Sequence, residues 1–192
     1  DIVISGITAA NKPYDGNTDA TLDYSGVTFI GIVDGDELTV TASGTFADAE
    51  VGNAKIVNIT NLTLNGGDAA NYQLAASGQQ ETTTANITAN PLNVTASGYS
   101  GVYDGAAHGI TVNAPDGATV TYSETESGTY GAENPTYTNA GTYTVFYKVT
   151  LVGSDDVGGA QTVNISRKEI VVSGITAANK PYDGNTDATL VY

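Results

Sequence analysis

Asp15, Asn17 and Asp19 occupy alternate positions of a D-x-N-x-D run, the spacing that opens calcium-binding loops, and the same trio returns as Asp183, Asn185 and Asp187. Calcium takes six or more oxygen ligands, and the EF-hand form needs glycine at loop position six and a bidentate glutamate at position twelve. Here those positions are Ala20 and Gly26, and Asp23 at position nine becomes Val191 in the second occurrence. An EF-hand is therefore not expected. A looser calcium site, joining Asp15, Asn17 and Asp19 to Asp34 or Asp36, is the alternative that the residues leave open.

The remaining reactive groups are sparse. His108 is the sole histidine and cysteine is absent, so a thiol nucleophile, a Cys/His zinc site and a second imidazole are all excluded. His108 is read as a surface residue in the turn 105–109. Glu124 and Glu126 stand two apart and would share a face on a strand, as paired carboxylates require. Their Ser and Thr neighbours and the lack of cleft-forming sequence make them solvated acids instead. Lys148 raises a Lys–Asn cross-link, but alternation sets it opposite Tyr143, Val145 and Tyr147 and so outward. Twelve tyrosines against three phenylalanines raise a sugar-stacking platform. Half-buried rings at the ends of small sandwiches, with hydroxyls in water, are the reading preferred. No catalytic residue and no cofactor are expected, and the chain is read as a non-enzyme.

The elements that would position these groups are strands. Tyr143, Val145, Tyr147, Val149 and Leu151 alternate with Thr144, Phe146, Lys148 and Thr150, which predicts a strand packed on one face. Shorter alternating runs fall at 38–42, 56–64, 92–96, 119–123 and 162–165, separated by Asp-Gly, Asn-Gly-Gly and Asn-Ala-Gly turn signals. The only helical turn predicted lies around Asp68 to Asn71. Asp and Glu total 21 against 6 Lys and Arg, a net charge of −15. Such a polyanion repels nucleic acid and anionic lipid, and no apolar run approaches the roughly 18 residues that span a bilayer.

Repetition sets the architecture. Ser5 to Leu22 recurs without a mismatch as Ser173 to Leu190, the mark of a tandem array. Tyr-Asp-Gly occurs at 14–16, 103–105 and 182–184, so two different modules share an opening motif. The division expected is a first β module over 1–89, a second over 90–167, and the start of a further repeat over 168–192. In each Tyr-Asp-Gly the ring is expected to cap one end of a core while Asp and Gly make a turn with positive φ at Gly. Asn71 is expected to fix a loop and Tyr72 to plug the core. Joints of two or three residues, the first stiffened by Pro91, predict a rod.

The segments 11–22, Val33–Leu38, Phe46–Gly52 and Leu64–Leu74 resemble the YDG repeat of bacterial surface adhesins, with order and spacing agreeing across about Ile7 to Thr88. The stretches 102–105 and 137–149 resemble the MBG or bacterial Ig-like repeats that accompany it. The resemblance implies an all-β chain of two tandem Ig-like sandwich modules from a long extracellular protein, secreted or on a bacterial surface. It implies stalk or adhesive units and carries no catalytic residues. The function expected is a structural spacer whose partners are neighbouring repeats of the same protein. A glycan- or host-protein-binding module acting by avidity and a filament that self-associates by strand exchange of residues 170–190 are the alternatives.

Overall fold

Thr, Val, Ile and Tyr at every second position favour extended backbone with one face inward. The computed structural model describes residues 1–192 and is built almost entirely of strands. Nine lie in the first module: β1 (Val3–Ser5), β2 (Thr8–Ala9), β3 (Lys12–Pro13), β4 (Asp19–Ala20), β5 (Leu22–Asp23), β6 (Thr28–Ile30), β7 (Thr39–Phe46), β8 (Gly52–Asn65) and β9 (Thr82–Thr88). Six follow in the second: β10 (Thr95–Ser97), β11 (Tyr99–Val102), β12 (Thr111–Asn113), β13 (Thr119–Ser123), β14 (Gly141–Thr150) and β15 (Val157–Ser166). The hairpin β16 (Thr176–Ala177) and β17 (Leu190–Val191) comes last. The one helical piece is a 3-10 turn, Ala69–Asn71, inside the segment expected to hold one.

Both modules share a plan. The larger sheet of the first runs β3-β9-β8-β7-β4, faced by the pairs β1-β6 and β2-β5. That of the second runs β11-β15-β14-β13, faced by β10-β12. In each, the early part of the chain starts in the smaller layer and crosses to the larger sheet, where it lies parallel to the module's final strand: β3 on β9 and β11 on β15. The crossing is tight at Gly98, where a Cβ would come within 2.1 Å of the Thr162 carbonyl oxygen. β8 is long and bent, with register shifts against both neighbours and positive φ at Ala54 (49°) and Asn61 (54°), as bulges require.

The cores are thin. One cluster of the first module joins Ile2, Ile4, Ile7, Val40 and Ile59, and another joins Phe46, Val57, Ala85 and Ile87. Ile110, Val145, Val163 and Ile165 make the core of the second. Each such side chain contributes about 1.5–3 kcal/mol by leaving water, so modules with few of them are modestly stable. The accessible surface is 12202 Å², against roughly 8,500 Å² for one compact body of this mass. Two separate bodies of about 85 residues plus an extended tail of about 25 residues give roughly 13,000 Å² by the same scaling. The area is therefore larger than one compact body of this mass presents.

One expectation needs correcting. The side chain that spans the loop after β8 is that of Asp68, whose Oδ2 accepts the Glu37 N–H at 2.9 Å, while Asn71 contributes its backbone N–H to the Asp68 carbonyl at 2.9 Å. Tyr72 does plug the core: its ring packs on the Ile2 cluster, and its hydroxyl accepts the Val33 N–H at 2.9 Å and donates to Asp36 Oδ2.

The joint between the modules as candidate functional site

The Tyr-Asp-Gly loop is organised by its own short polar side chains. Asp15 Oδ1 accepts the Asn17 N–H at 3.1 Å and Asn17 Oδ1 accepts the Asp19 N–H at 2.9 Å, two successive Asx turns closed by Gly16 at φ 77°. The oxygens gathered in this way converge on the Lys12 ammonium. Asp15 Oδ1 and Asn17 Oδ1 each lie 2.7 Å from Nζ, with the carbonyls of Asn17 and Asp19 at 3.0 and 3.1 Å. The same nitrogen sits 5.7 Å from the Phe46 ring centroid, within cation–π reach.

The D-x-N-x-D trio is thus brought together, but around a cation the chain itself supplies, and Asp19 takes part through its backbone. Asp36 is engaged elsewhere, with Tyr72. The looser calcium site drawing on Asp34 or Asp36 is therefore not assembled. The Lys12 hydrogen bond, followed by the Asn17 N–H, holds the Asp15 carboxyl below the usual carboxylate range. A depressed carboxyl stabilises the fold above its unfolded value, and that contribution disappears as pH falls through the folded value. Melting of the native chain is expected to be the same in calcium and in chelator, and to lose stability below about pH 4. Lys12→Ala is expected to flatten that acid limb. A calcium-dependent rise in the native melting temperature would show that the ammonium does not hold the loop.

The parallel pairing of β3 with β9 dictates where the motif lies. A strand parallel to the last strand of its module ends at the same end, so Tyr14 emerges beside the connection to the second module. Its N–H donates to the Thr88 carbonyl at 2.9 Å, and its own carbonyl accepts Asn90 Nδ2 at 2.8 Å. The Asn90 N–H in turn donates to the Gly153 carbonyl at 2.8 Å, in the hairpin turn between β14 and β15. The Tyr14 ring packs on the Phe46 cluster on one side and on Gly153 on the other. Gly153 has φ 78°, and a Cβ there would stand 1.9 Å from Tyr14 Cδ1. One aromatic ring therefore bridges a core of the first module to a glycine turn of the second. The sequence identified Tyr14 and its capping role; it gave no sign of Gly153 or Asn90.

The second motif repeats the placement. Tyr103 N–H donates to the Ser166 carbonyl at 2.8 Å, Asp104 Oδ1 accepts the Ala106 N–H at 2.9 Å, and Gly105 has φ 83°. His108 corrects its expected surface position: it stacks on Tyr99 at 3.7 Å between ring centroids and 9° between planes, with Nε2 3.0 Å from Asp104 Oδ1. That hydrogen bond, ahead of the Ala106 N–H, lowers the Asp104 carboxyl below its ordinary range.

The other candidates do not converge. β13 stops at Ser123, and Glu124 and Glu126 lie in the bend that follows rather than on a strand face. Ser123 Oγ accepts the Thr125 N–H at 3.3 Å and donates to the Thr125 carbonyl at 2.8 Å, which curls the chain. Glu124 and Glu126 consequently border different depressions. Lys148 points outward as alternation requires, half-exposed, with Asp156 Oδ2 at 3.4 Å. Of the twelve tyrosines, Tyr103, Tyr182 and Tyr192 are the large-surface exceptions; the rest are half-buried against the cores or neighbouring loops.

Tyr137 is one of these. It stacks on Tyr143 at 3.9 Å and donates to Glu124 Oε1 at 2.8 Å. Burial first, then that hydrogen bond, pushes its phenol up to about 12. A raised phenol stabilises the fold fully below the unfolded value near 10, and that contribution is lost as pH rises towards 12. Circular dichroism of the native chain is expected to show an alkaline loss of structure in the second module over that window, absent in Tyr137→Phe.

Residues 1–85 match the YDG domain family. No curated protein matches the chain.

Proposed function

We propose, from the YDG domain matched over residues 1–85 and the joint that follows it, that this chain is a load-bearing spacer. It would form one link of the stalk of a long extracellular protein, secreted or displayed on a bacterial surface, with an MBG or Ig-like repeat as its second module. The observation that carries the reading is the shared load path. In both modules the strand near the start is parallel to the final strand, β3 to β9 and β11 to β15. Tension applied through the connections at opposite ends of a module slides these paired strands past one another. Their hydrogen bonds then bear the force together, whereas a hairpin pulled from one end opens bond by bond. Between the modules, Tyr14, Asn90 and Gly153 replace a free linker with a packed and hydrogen-bonded contact.

Small-angle scattering of the intact chain tests this. A compact chain of this length has a radius of gyration of about 16 Å; two modules in line, each with strands about 30–45 Å long by the rise per residue, give a value well above it and a maximum dimension of roughly 80 Å or more. A radius near the compact value would remove the stalk reading. A second reading, adhesion by weak sites multiplied along an array, draws support from one feature, an open polar depression of about 590 Å³ edged by Glu124, Thr125, Glu133 and Thr136. Specific binding of the isolated chain on a glycan array would favour that reading.

A further inference from the structure

We propose that the edge of β15 from Val157 to Gln161 is a docking site for an extended, basic peptide segment of a partner protein, which pairs with it as an added strand. The inference concerns partner recognition and stands independently of the stalk reading.

The edge carries unpaired backbone. β15 pairs with β14 from Val157 to Ile165 without a register shift, and successive residues of such a strand turn their N–H and C=O groups to opposite sides. The Thr162 carbonyl lies on the side away from β14, against Gly98, so Gly158 and Ala160 present their groups on that side too. β11 pairs only from Val163 onward, and Gly158, Gly159 and Ala160 are all exposed. Two donors and two acceptors therefore face solvent in line.

Other edges of the chain are closed. In the same sheet, Tyr122 of β13 exchanges both of its outward hydrogen bonds with Gly131, at 2.7 and 2.9 Å. On β9, which holds the place of β15 in the first module, side chains do the work: the Asn86 N–H donates to Asn11 Oδ1 at 2.7 Å, and the Thr82 carbonyl accepts Gln80 Nε2 at 3.1 Å. Free edges are ordinarily blunted by lysine, proline or a bulge. Val157 to Gln161 have none of these.

Beside the open edge the outer face lacks side chains. Gly158 and Ala160 stand opposite Lys148 and Phe146 of β14, on the face turned away from Val145 and Val149. Phe146 belongs to no core cluster. With Glu126, Tyr130, Lys148 and the two small residues it borders a depression of about 320 Å³. An added strand lies one spacing, about 5 Å, beyond β15. A side chain from it that lies over Gly158 or Ala160 reaches Phe146 and Tyr130 with nothing between. Main-chain hydrogen bonds then give affinity, and the recess selects apolar side chains at alternate positions.

Charge decides between occupants. The chain carries −15; Asp155, just before the edge, and Glu126, on the rim of the recess, form no salt bridge. Lys148, the one cation bordering the recess, is held by Asp156 at 3.4 Å. A basic peptide is attracted to this edge, whereas a second copy of the acidic chain is repelled.

The test pans random linear heptapeptides displayed on phage against the intact chain and synthesises the enriched sequences. These are expected to carry lysine or arginine at their flanks and apolar side chains at alternate positions, and to bind more weakly as salt is raised. Amide exchange supplies the decisive readout. In the free chain the Gly158 and Ala160 amides are expected to exchange quickly while those of Gly159 and Gln161, turned towards β14, are slow; bound peptide slows the first pair alone. Ala160→Pro removes an outward donor without touching the ladder to β14, a change that an edge strand tolerates, and is expected to weaken binding about tenfold or more at unchanged melting temperature. Phe146→Thr is expected to relax the apolar preference and leave the exchange pattern in place. Panning that enriches nothing, bound peptides that leave the Gly158 and Ala160 amides fast, or affinity that survives Ala160→Pro overturns the proposal. So does slowing of the same two amides with rising chain concentration and no peptide, which would make the occupant a second copy.

Discussion

Gly153→Ala is expected to uncouple the two modules. The residue sits at φ 78°, where a Cβ costs about 1–2 kcal/mol through the backbone alone. That Cβ would also stand 1.9 Å from Tyr14 Cδ1, so the ring must leave the turn, and with it goes the packing that aligns Asn90 with the Gly153 carbonyl. At about 4–8 °C per kcal/mol for a domain of this size, the second module is expected to melt roughly 4–16 °C lower. Backbone relaxation should report separate tumbling of modules that tumble together in the parent. Tyr14→Ala supplies the control: it removes the ring that the new methyl meets. The double variant is therefore expected to be less damaged than the sum of the singles, with a coupling of about 0.5–3 kcal/mol, as for residues in contact. Strict additivity would mean that Tyr14 and Gly153 do not share the joint.

The parts legible in the sequence were those specified locally or by a single period. β14 shows this: its inward residues Val145 and Val149 are both fully buried, and Lys148 points out as alternation demands. The Lys12 cluster was legible in principle, because Lys180 rebuilds it on a hairpin with no core beneath it; the lysine three residues before an Asx turn is the signal, carried by the same residues as the calcium spacing. β2 to β6 were not legible. Strands of two or three residues contain no period, and their pairing is decided by what lies across the sandwich. His108 moved inward because Tyr99, on a different strand, offers a face for it. Gly153 was hidden for the same reason: a glycine in a turn looks alike whether solvent or an aromatic ring lies above it.

Phe46→Ala is expected to unfold the first module and leave the second standing. Phe46 is 2% exposed and packs with Val57, Ala85 and Ile87, beneath the Lys12 ammonium and beside Tyr14. Truncating a buried phenylalanine costs about 3–5 kcal/mol, while a module of about 85 residues has roughly 4–13 kcal/mol to lose. Its transition is expected to fall by about 12–40 °C or to vanish. Amide exchange should show β7, β8 and β9 deprotected while β14 and β15 keep their protection, because no sheet of the chain draws strands from both modules. The joint runs through Tyr14, Asn90 and the turn at Gly153, so losing Tyr14's platform should reach the second module through that joint, with an effect no larger than that of Gly153→Ala. Collapse of both modules in a single transition would mean that the chain folds as one cooperative body. A chain of links, each yielding alone under load, could not be built from it.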